Sequence, residues 1–354
     1  MKSLRITHTL CLLLLTATIA LGQQAKLLPQ QNLADWHVKP ANYSGITWLG
    51  DNRYALVDDK SPLDGFYLIN IYIDDATGKI KSVEPGEFMA APAKTAEEAQ
   101  ARRWADCEDI AYVPHTNTVF ITSEANAQVA EYDLSGNATG RRLNIPAHLS
   151  RKMQQFNGGF EPLTYHAQQQ TFWLTTENSL LADSTLNGAQ PMRIVSFNKE
   201  LMPVAEYAYM LDKPQLKADV KYYTHGISAM TALPDGRLLI LERELSIPPK
   251  YLGGRCNVKI YAVNPTTDNT IAKACDMATL PSEAFLSKKL VASFHTNIKI
   301  GSLNYANYEG MCLGPMLQDG RQTLLLINDS QAGAGNSLCT LKDYIKVILL
   351  DLSK

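Results

Sequence analysis

Residues 104–126 read WADCEDIAYVPHTNTVFITSEAN. Two apolar runs rich in β-branched and aromatic residues, IAYV and TVFITS, flank the turn PHTN, the pattern of a short antiparallel hairpin. Acids mark its open end: Glu108 and Asp109 start the first strand, and Glu124 follows the second, 16 residues after Glu108. Antiparallel pairing sets the start of one strand beside the end of the next, so Glu108 is expected to meet Glu124.

The arrangement recurs along the chain. FEPLTYHAQQQTFWLTTEN holds Glu161 and Glu177 at the same spacing, and HGISAMTALPDGRLLILERE holds Gly226 and Glu242 at it again. Looser copies are YSGITWLGDNRYALVDDKS, from Ser44 to Asp58, and YEGMCLGPMLQDGRQTLLLINDS, from Glu309 to Asp329. Asp235-Gly236 and Asp319-Gly320 supply the positive φ that tight hairpin turns demand. Two more strand-like segments follow most copies, such as QVAEYDLSG with RRLNIP, and MRIVSFNKE with PVAEYAYML. The last copy has only YIKVILLDL before the chain ends, and the N-terminal AKLLPQQNLADWHV can supply the missing strand and close a ring. Repeated four-stranded units closed in this way predict an all-β fold, a β-propeller. Five blades are expected, with room for a degenerate sixth after residue 245. A β-sandwich is the competing all-β architecture, but it does not predict a fixed acid-to-acid repeat.

Ahead of the repeats, Lys2 and Arg5 precede LCLLLLTATIALG, which ends in small residues, the pattern of a cleaved secretory signal over residues 1–22. The stretch is too short for a membrane anchor, so an exported chain, periplasmic or secreted, is expected, with one propeller domain over 23–354 and no stable membrane insertion. Without the leader, 31 basic side chains face 35 acidic ones with no basic block, which argues against nucleic acid as a partner. Five cysteines remain, and none forms a close metal-type pair. Cys256 and Cys275 flank what reads as neighbouring antiparallel strands, and a disulfide between them is expected.

If the acidic hairpins are the inner halves of the blades, their open ends converge on one mouth of the central channel. That mouth would hold Asp58, Glu108, Glu124, Glu161, Glu177, Glu242, Glu309 and Asp329. The helix-like TAEEAQARRWA, PAHLSRKMQQF and PSEAFLSKKL enter near the same rim and could wall a pocket. Crowded carboxylates need a cation, a proton or basic partners. Oxygen-only ligation suits Ca²⁺, with Glu108, Glu161, Glu309, Asp329, Glu124 and Glu177 as candidate ligands and Asn157, Asn304, Asn307 and Asn328 as neutral oxygens nearby. The plainer alternative pairs the acids with backbone amides or with Arg102, Arg103, Arg243 and Arg255. His225, just before the fourth motif, is the histidine best placed for proton transfer. No nucleophile elbow, phosphate loop or dinucleotide fingerprint is present.

The phrases SGITWL, CEDIAY, NGGFEPLTY, GISAMTALPDGRLLILERE and NYEGMCLGPMLQDGRQTLLLINDS resemble, in order, segments of the esterase-like phytase domain family. The resemblance spans about residues 40–351, and it implies a propeller and phosphoester hydrolysis. By motif the family's acidic positions fall on Glu108, Glu161, Glu242, Glu309 and Asp329; Pro162 and Ser44 depart from the pattern. The resulting expectation is a Ca²⁺-dependent phosphoesterase acting on a small-molecule phosphoester or another ester. Arg243 would steady a phosphate oxygen and Glu242 would take a proton. A propeller that only binds a ligand, with a structural Ca²⁺, and a lactonase or other carboxylic ester hydrolase are the alternatives.

Overall fold

The structure, a computed structural model, describes residues 25–102, 105–183, 190–299, 302–336 and 339–352. The expected signal segment and Arg103 lie outside the described residues. Five antiparallel blade sheets follow one another along the chain, and a separate two-stranded ladder pairs Gly335–Asn336 with Cys339–Thr340. Blade 1 runs Tyr43–Gly50, Arg53–Asp58, Phe66–Ile73, Ile80–Met89, and blade 2 runs Cys107–Val113, Thr118–Ser123, Gln128–Asp133, Ala138–Arg142. Blade 3 comprises Phe160–His166, Thr171–Thr176, Pro191–Phe197 and Pro203–Met210. Blade 4 comprises Tyr222–Ala232, Leu238–Ile247, Arg255–Val263 and Lys288–Lys299. Blade 5 pairs Asn307–Met316, Gln322–Asp329 and Tyr344–Leu350, and its outermost strand is Ala25–Leu27.

The propeller therefore has five blades. The residues after 245 that left room for a sixth are the outer half of blade 4. Between its third and fourth strands the chain makes a long excursion to the edge of blade 3, where Ile271 pairs with Glu206 and Phe285 with Ala208. That detour also settles the cysteines. Cys256 is buried inside blade 4, whereas Cys275 is carried to the Arg193 side chain of blade 3, and both are free thiols. The expected disulfide assumed that the segment after Cys256 returns directly as the next strand, and it does not.

Apolar cores sit between blades rather than within them, with one cluster of buried residues at each of the five junctions. The second strand of each blade thus buries both faces, which is why LLIL (238–241) and LLLI (324–327) are continuous apolar runs rather than alternating ones. In blade 4, Leu239 and Leu241 pack toward blade 5, and Leu238 and Ile240 toward blade 3. Polar contacts between inner strands join neighbours as well: Tyr112 N–H donates to Thr47 Oγ1 at 3.2 Å, Leu163 N–H to Asp109 Oδ2 at 2.8 Å, and Ala232 N–H to Thr164 Oγ1 at 3.0 Å. Thr231 Oγ1 donates to the Met311 carbonyl at 2.7 Å. Asp109 is therefore a staple between blades 2 and 3. Gly45 permits a similarly close approach between blades 1 and 2, since a Cβ there would lie 2.6 Å from the Asp109 Cα.

Ring closure rests on the N-terminal strand and on Leu28 and Leu33, which are buried between blades 5 and 1. Deleting residues 25–33 uncovers the edge of Tyr344–Leu350 and empties those apolar sites. The expected loss is at least about 3 kcal/mol in urea unfolding, with aggregation on heating. Unchanged unfolding would show that the closure contributes nothing.

Candidate functional site

All five inner strands carry a register shift at the same point, between Tyr43 and Gly45, Cys107 and Ile110, Phe160 and Leu163, Ile227 and Ala229, and Tyr308 and Gly310. A β-bulge adds one residue to one strand and re-aims its side chain. Ile46, Ile110, Leu163, Met230 and Met311 face Leu56, Ile121, Leu174, Ile240 and Leu326, and counting back from these pairs puts Ser44, Glu108, Glu161, Ser228 and Glu309 at one equivalent position. Counting forward along the second strands aligns Asp59, Glu124, Glu177, Arg243 and Asp329. Four blades thus end their second strand in an acid, and blade 4 ends in arginine.

All of these except Ser44 and Ser228 line a cavity of about 500 Å³ at the channel mouth, which also takes in Lys60 and Asp106. The opposite mouth is a mostly apolar depression of about 350 Å³ lined by Ile46, Trp48, Tyr112, Leu313 and His166. Of the residues expected at the acidic mouth, Glu108, Glu124, Glu161, Glu177, Glu309, Asp329 and Arg243 line the cavity. Asn157 and Asn307 line it too. Asn328 is turned to the Lys342 carbonyl and Tyr344 N–H, and Asn304 faces Asn297 on the outside.

Glu242 and His225 do not line the cavity. Strand alternation turns Glu242 to the blade 3 side, with Leu238 and Ile240, where it accepts from Tyr209 Oη, from Lys288 Nζ at 2.7 Å and from Asp212 N–H at 3.2 Å. Asp58 likewise yields the cavity to its neighbour Asp59. His225 is buried opposite Glu244 in a small crevice that it shares with Glu242 and Lys259, and burial holds its imidazole below the usual range. The expected base at Glu242 came from counting 16 residues from Gly226, whereas the position equivalent to Glu108 is Ser228 and the blade 4 hairpin is one residue shorter than those of blades 2 and 3.

Arg243 is the hub of the mouth. Its Nη1 donates to Asn307 Oδ1 at 2.9 Å and to Glu309; its Nη2 donates to Glu177 Oε1 at 2.5 Å and lies 3.8 Å from Glu161. Despite burial, Glu309, Glu177 and Glu161 hold it firmly charged. Glu177 is fully occupied, accepting also from Thr224 Oγ1 at 2.9 Å and Asn178 Nδ2 at 3.1 Å. Glu124 accepts from the N–H groups of Gly158 and Gly159 at 2.7 and 2.9 Å, and Asp329 accepts from Gln331 N–H at 2.6 Å. These acids are held by the fold.

Glu108 and Glu161 are different. Among the described residues Glu108 makes no hydrogen bond or ion pair, and the buried Oε2 of Glu161 has no partner. Burial and then neighbouring acids raise both well above the ordinary carboxyl range: Asp59 and Asp106 act on Glu108, and Glu177 on Glu161. Asp59 is pushed up to about 7, burial outweighing its contact with Lys60. One carboxylate oxygen each of Asp59, Asp106 and Glu108 lies within 4.8 Å of the others. Lys60 Nζ bridges Asp59 and Asp106 at 2.6 and 2.8 Å, with half of its side chain exposed. Sequence reasoning did not reach Asp59, Lys60 and Asp106. Aligning LVDD (56–59) with FITSE (120–124) on their apolar runs would have found Asp59; Asp106 precedes its strand in a positive-φ turn and gives no periodic signal.

Residues 41–331 match the family described as phytase-like, esterase-like activity of phytase. The chain belongs to the phytase-like family. No curated protein matches the sequence. Among solved structures, this phytase-like chain is similar to the PQQ-bound aldose sugar dehydrogenase of Streptomyces coelicolor, at 10% identity and a TM-score of 0.42, covering 93% of this chain and 99% of that one. It is also similar to a streptogramin B lyase, at 14% identity and a TM-score of 0.36, covering 92% and 98%. The β-propeller domain of Cps50 (Swd1) from Myceliophteria thermophila is a further likeness, at 10% identity and a TM-score of 0.33, covering 92% and 100%. Likeness at these levels carries no substrate across.

Proposed function

We propose that this phytase-like protein is an exported, divalent-cation-dependent hydrolase of phosphoric or carboxylic esters, working at the acidic mouth, with Ca²⁺ as the favoured ion. The observation that carries this reading is the Asp59, Asp106 and Glu108 cluster, an all-oxygen donor set suited to a hard cation. The residues fit such an ion: Glu108 has no competing hydrogen-bond partner, and Lys60 can withdraw to solvent from the place that the ion would take. A leader at residues 1–22 would carry the chain to compartments where calcium reaches the levels that weak extracellular sites require.

When bound, the ion would polarise the ester and acidify a water molecule. The chain's own residues supply the rest. Arg243 locks Glu177 and Glu309, so the cavity wall is set before a ligand arrives. Glu161 is the carboxylate that fits proton transfer, since Oε2 has no partner and burial, with Glu177 beside it, raises its affinity for a proton. Glu242 is committed to Lys288 and Tyr209, outside the cavity, and is not assigned that role here.

EDTA-stripped and Ca²⁺-restored protein assayed on 4-nitrophenyl phosphate and 4-nitrophenyl acetate tests the reading. Activity on at least one ester is expected to return with Ca²⁺, and Glu108→Ala is expected to lower kcat/KM by about 100-fold or more. Activity indifferent to EDTA and to Glu108→Ala would contradict it. Ca²⁺ binding without turnover on any ester would favour a binding module instead.

A further inference from the structure

The cavity has two unlike halves. Blades 1–3 supply most of its carboxylates, whereas blade 4 and the segment entering blade 5 line it with Tyr222, Tyr223, Tyr251 and Tyr305, backed by Leu245 and Ile247. Tyr222 and the adjoining Leu252 are about half exposed, and across the rim Phe156 is 92% exposed beside Asn157, which lines the cavity. Tyr305 is 96% buried in this wall, and its hydroxyl has no hydrogen-bond partner. An aromatic wall with apolar side chains at its lip is suited to a flat apolar body.

Charge limits the ligand further. Eight carboxylates line the cavity against three cations, Lys60, Lys221 and Arg243. Arg243 is committed to Glu177 and Glu309, and Lys60 to Asp59 and Asp106. Lys221 makes no ion pair among the described residues and lies against two ring faces, 4.6 Å from the Tyr222 centroid and 5.3 Å from that of Tyr251. The charge of a divalent ion held by Asp59, Asp106 and Glu108 is already offset by those ligands, so the ion and the one lysine without an ion pair leave room for at most one anionic group. They cannot balance a polyol carrying several phosphates, each bringing up to two charges into a field that is already negative.

We propose that the substrate is a single ester of a flat apolar or aromatic body with at most one anionic group, lying on the Tyr222 and Tyr251 wall, and that multiply phosphorylated polyols are not accepted. This rests on the hydrolase reading above. Hydrolysis adds water across the one ester bond, releasing an acid and an alcohol or phenol, and needs no further reactant.

The test compares 4-nitrophenyl acetate, 4-nitrophenyl phosphate and inositol hexakisphosphate on the Ca²⁺-loaded full chain. It uses wild type, a Tyr222→Ala/Tyr251→Ala variant and a Tyr222→Phe/Tyr251→Phe variant. The expected result is turnover of an aryl ester, none of inositol hexakisphosphate, a KM raised about tenfold in the alanine pair with kcat little altered, and recovery of KM in the phenylalanine pair. Comparable or faster cleavage of inositol hexakisphosphate, or a KM indifferent to the alanine pair, overturns the proposal while leaving the hydrolase reading standing. Should no ester be cleaved, calorimetric binding of phenylphosphonate decides. Binding weakened about tenfold by the alanine pair keeps the assigned ligand class and sinks the hydrolase; absence of binding overturns both.

Discussion

Replacing Arg243 with methionine is expected to destabilise the protein by about 3–5 kcal/mol at neutral pH, the range for removing one partner of a buried ion pair. The side chain keeps most of its volume, so a cavity is not the main cause. The loss arises because Glu177 and Glu309 would remain buried with no guanidinium between them, and Glu161 would lose the nearest positive charge. Arg243→Lys should recover only part, because a single ammonium cannot reach Asn307, Glu309 and Glu177 together as the planar fork does. Urea unfolding at pH 5 and pH 8 separates this account from a packing defect. The cost should shrink at pH 5, where the stranded acids take up protons, whereas a packing defect would be equal at both. Within the ring, Arg243 stands where three neighbours have glutamate or aspartate and a fourth has Asp59. It acts as a built-in counter-ion for one side of the mouth, and it leaves the blade 1–2 side, around Glu108, for an external cation.

The second large effect is on stability against pH. Glu108, Glu161, Glu309 and Asp329 are raised by burial and mutual repulsion, and Asp59 reaches about 7. A carboxyl with a higher pKa folded than unfolded binds its proton more tightly in the fold. The stability it contributes is complete below its ordinary pKa near 4 and is lost as pH climbs through the raised value. In EDTA the melting temperature should therefore fall between pH 4 and 8, by an amount on the order of 10 °C. Asp212 and Asp235 act in the opposite sense. Asp212 is lowered because Lys259, Lys288 and Tyr261 outweigh its burial, and Asp235 by Arg237, but both lose their contribution only below about pH 4. Millimolar Ca²⁺ should restore the melting temperature at pH 8 and change little at pH 4, where protons already occupy the donors. A melting temperature that rises from pH 4 to 8 in EDTA would show that the mouth is not under charge strain.

The ring of blades and its closure by the N-terminal strand were legible because both depend on period: an apolar hairpin repeated five times, and one strand missing at the end. The side facing the channel was legible as well, since antiparallel pairing alone brings Glu108 beside Glu124 and Glu161 beside Glu177. What was lost was one residue of register. The hairpins of blades 1 and 4 are one residue shorter than those of blades 2 and 3, which shifts the count between strands, so Glu242 stood in for Arg243 and Asp58 for Asp59. On a strand one residue is a change of face, which separates a cavity-lining arginine from a glutamate paired with Lys288. Asp106, Lys60 and the tyrosine wall lie in turns and strand ends, where sequence carries no periodic mark. The Cys256 and Cys275 pairing failed for a related reason: the segment between them crosses to another blade, and no local pattern announces the crossing.

The most direct measurement is calorimetric titration of EDTA-stripped protein with Ca²⁺ at pH 7.5, alongside Glu108→Ala and the surface control Asp319→Ala. One site is expected in the wild type and the control, lost or weakened by about 100-fold in Glu108→Ala, with protons released as Asp59 and Glu108 ionise. Absence of a binding heat in the wild type, or equal binding in Glu108→Ala, would contradict the assignment of the acidic mouth as a cation site.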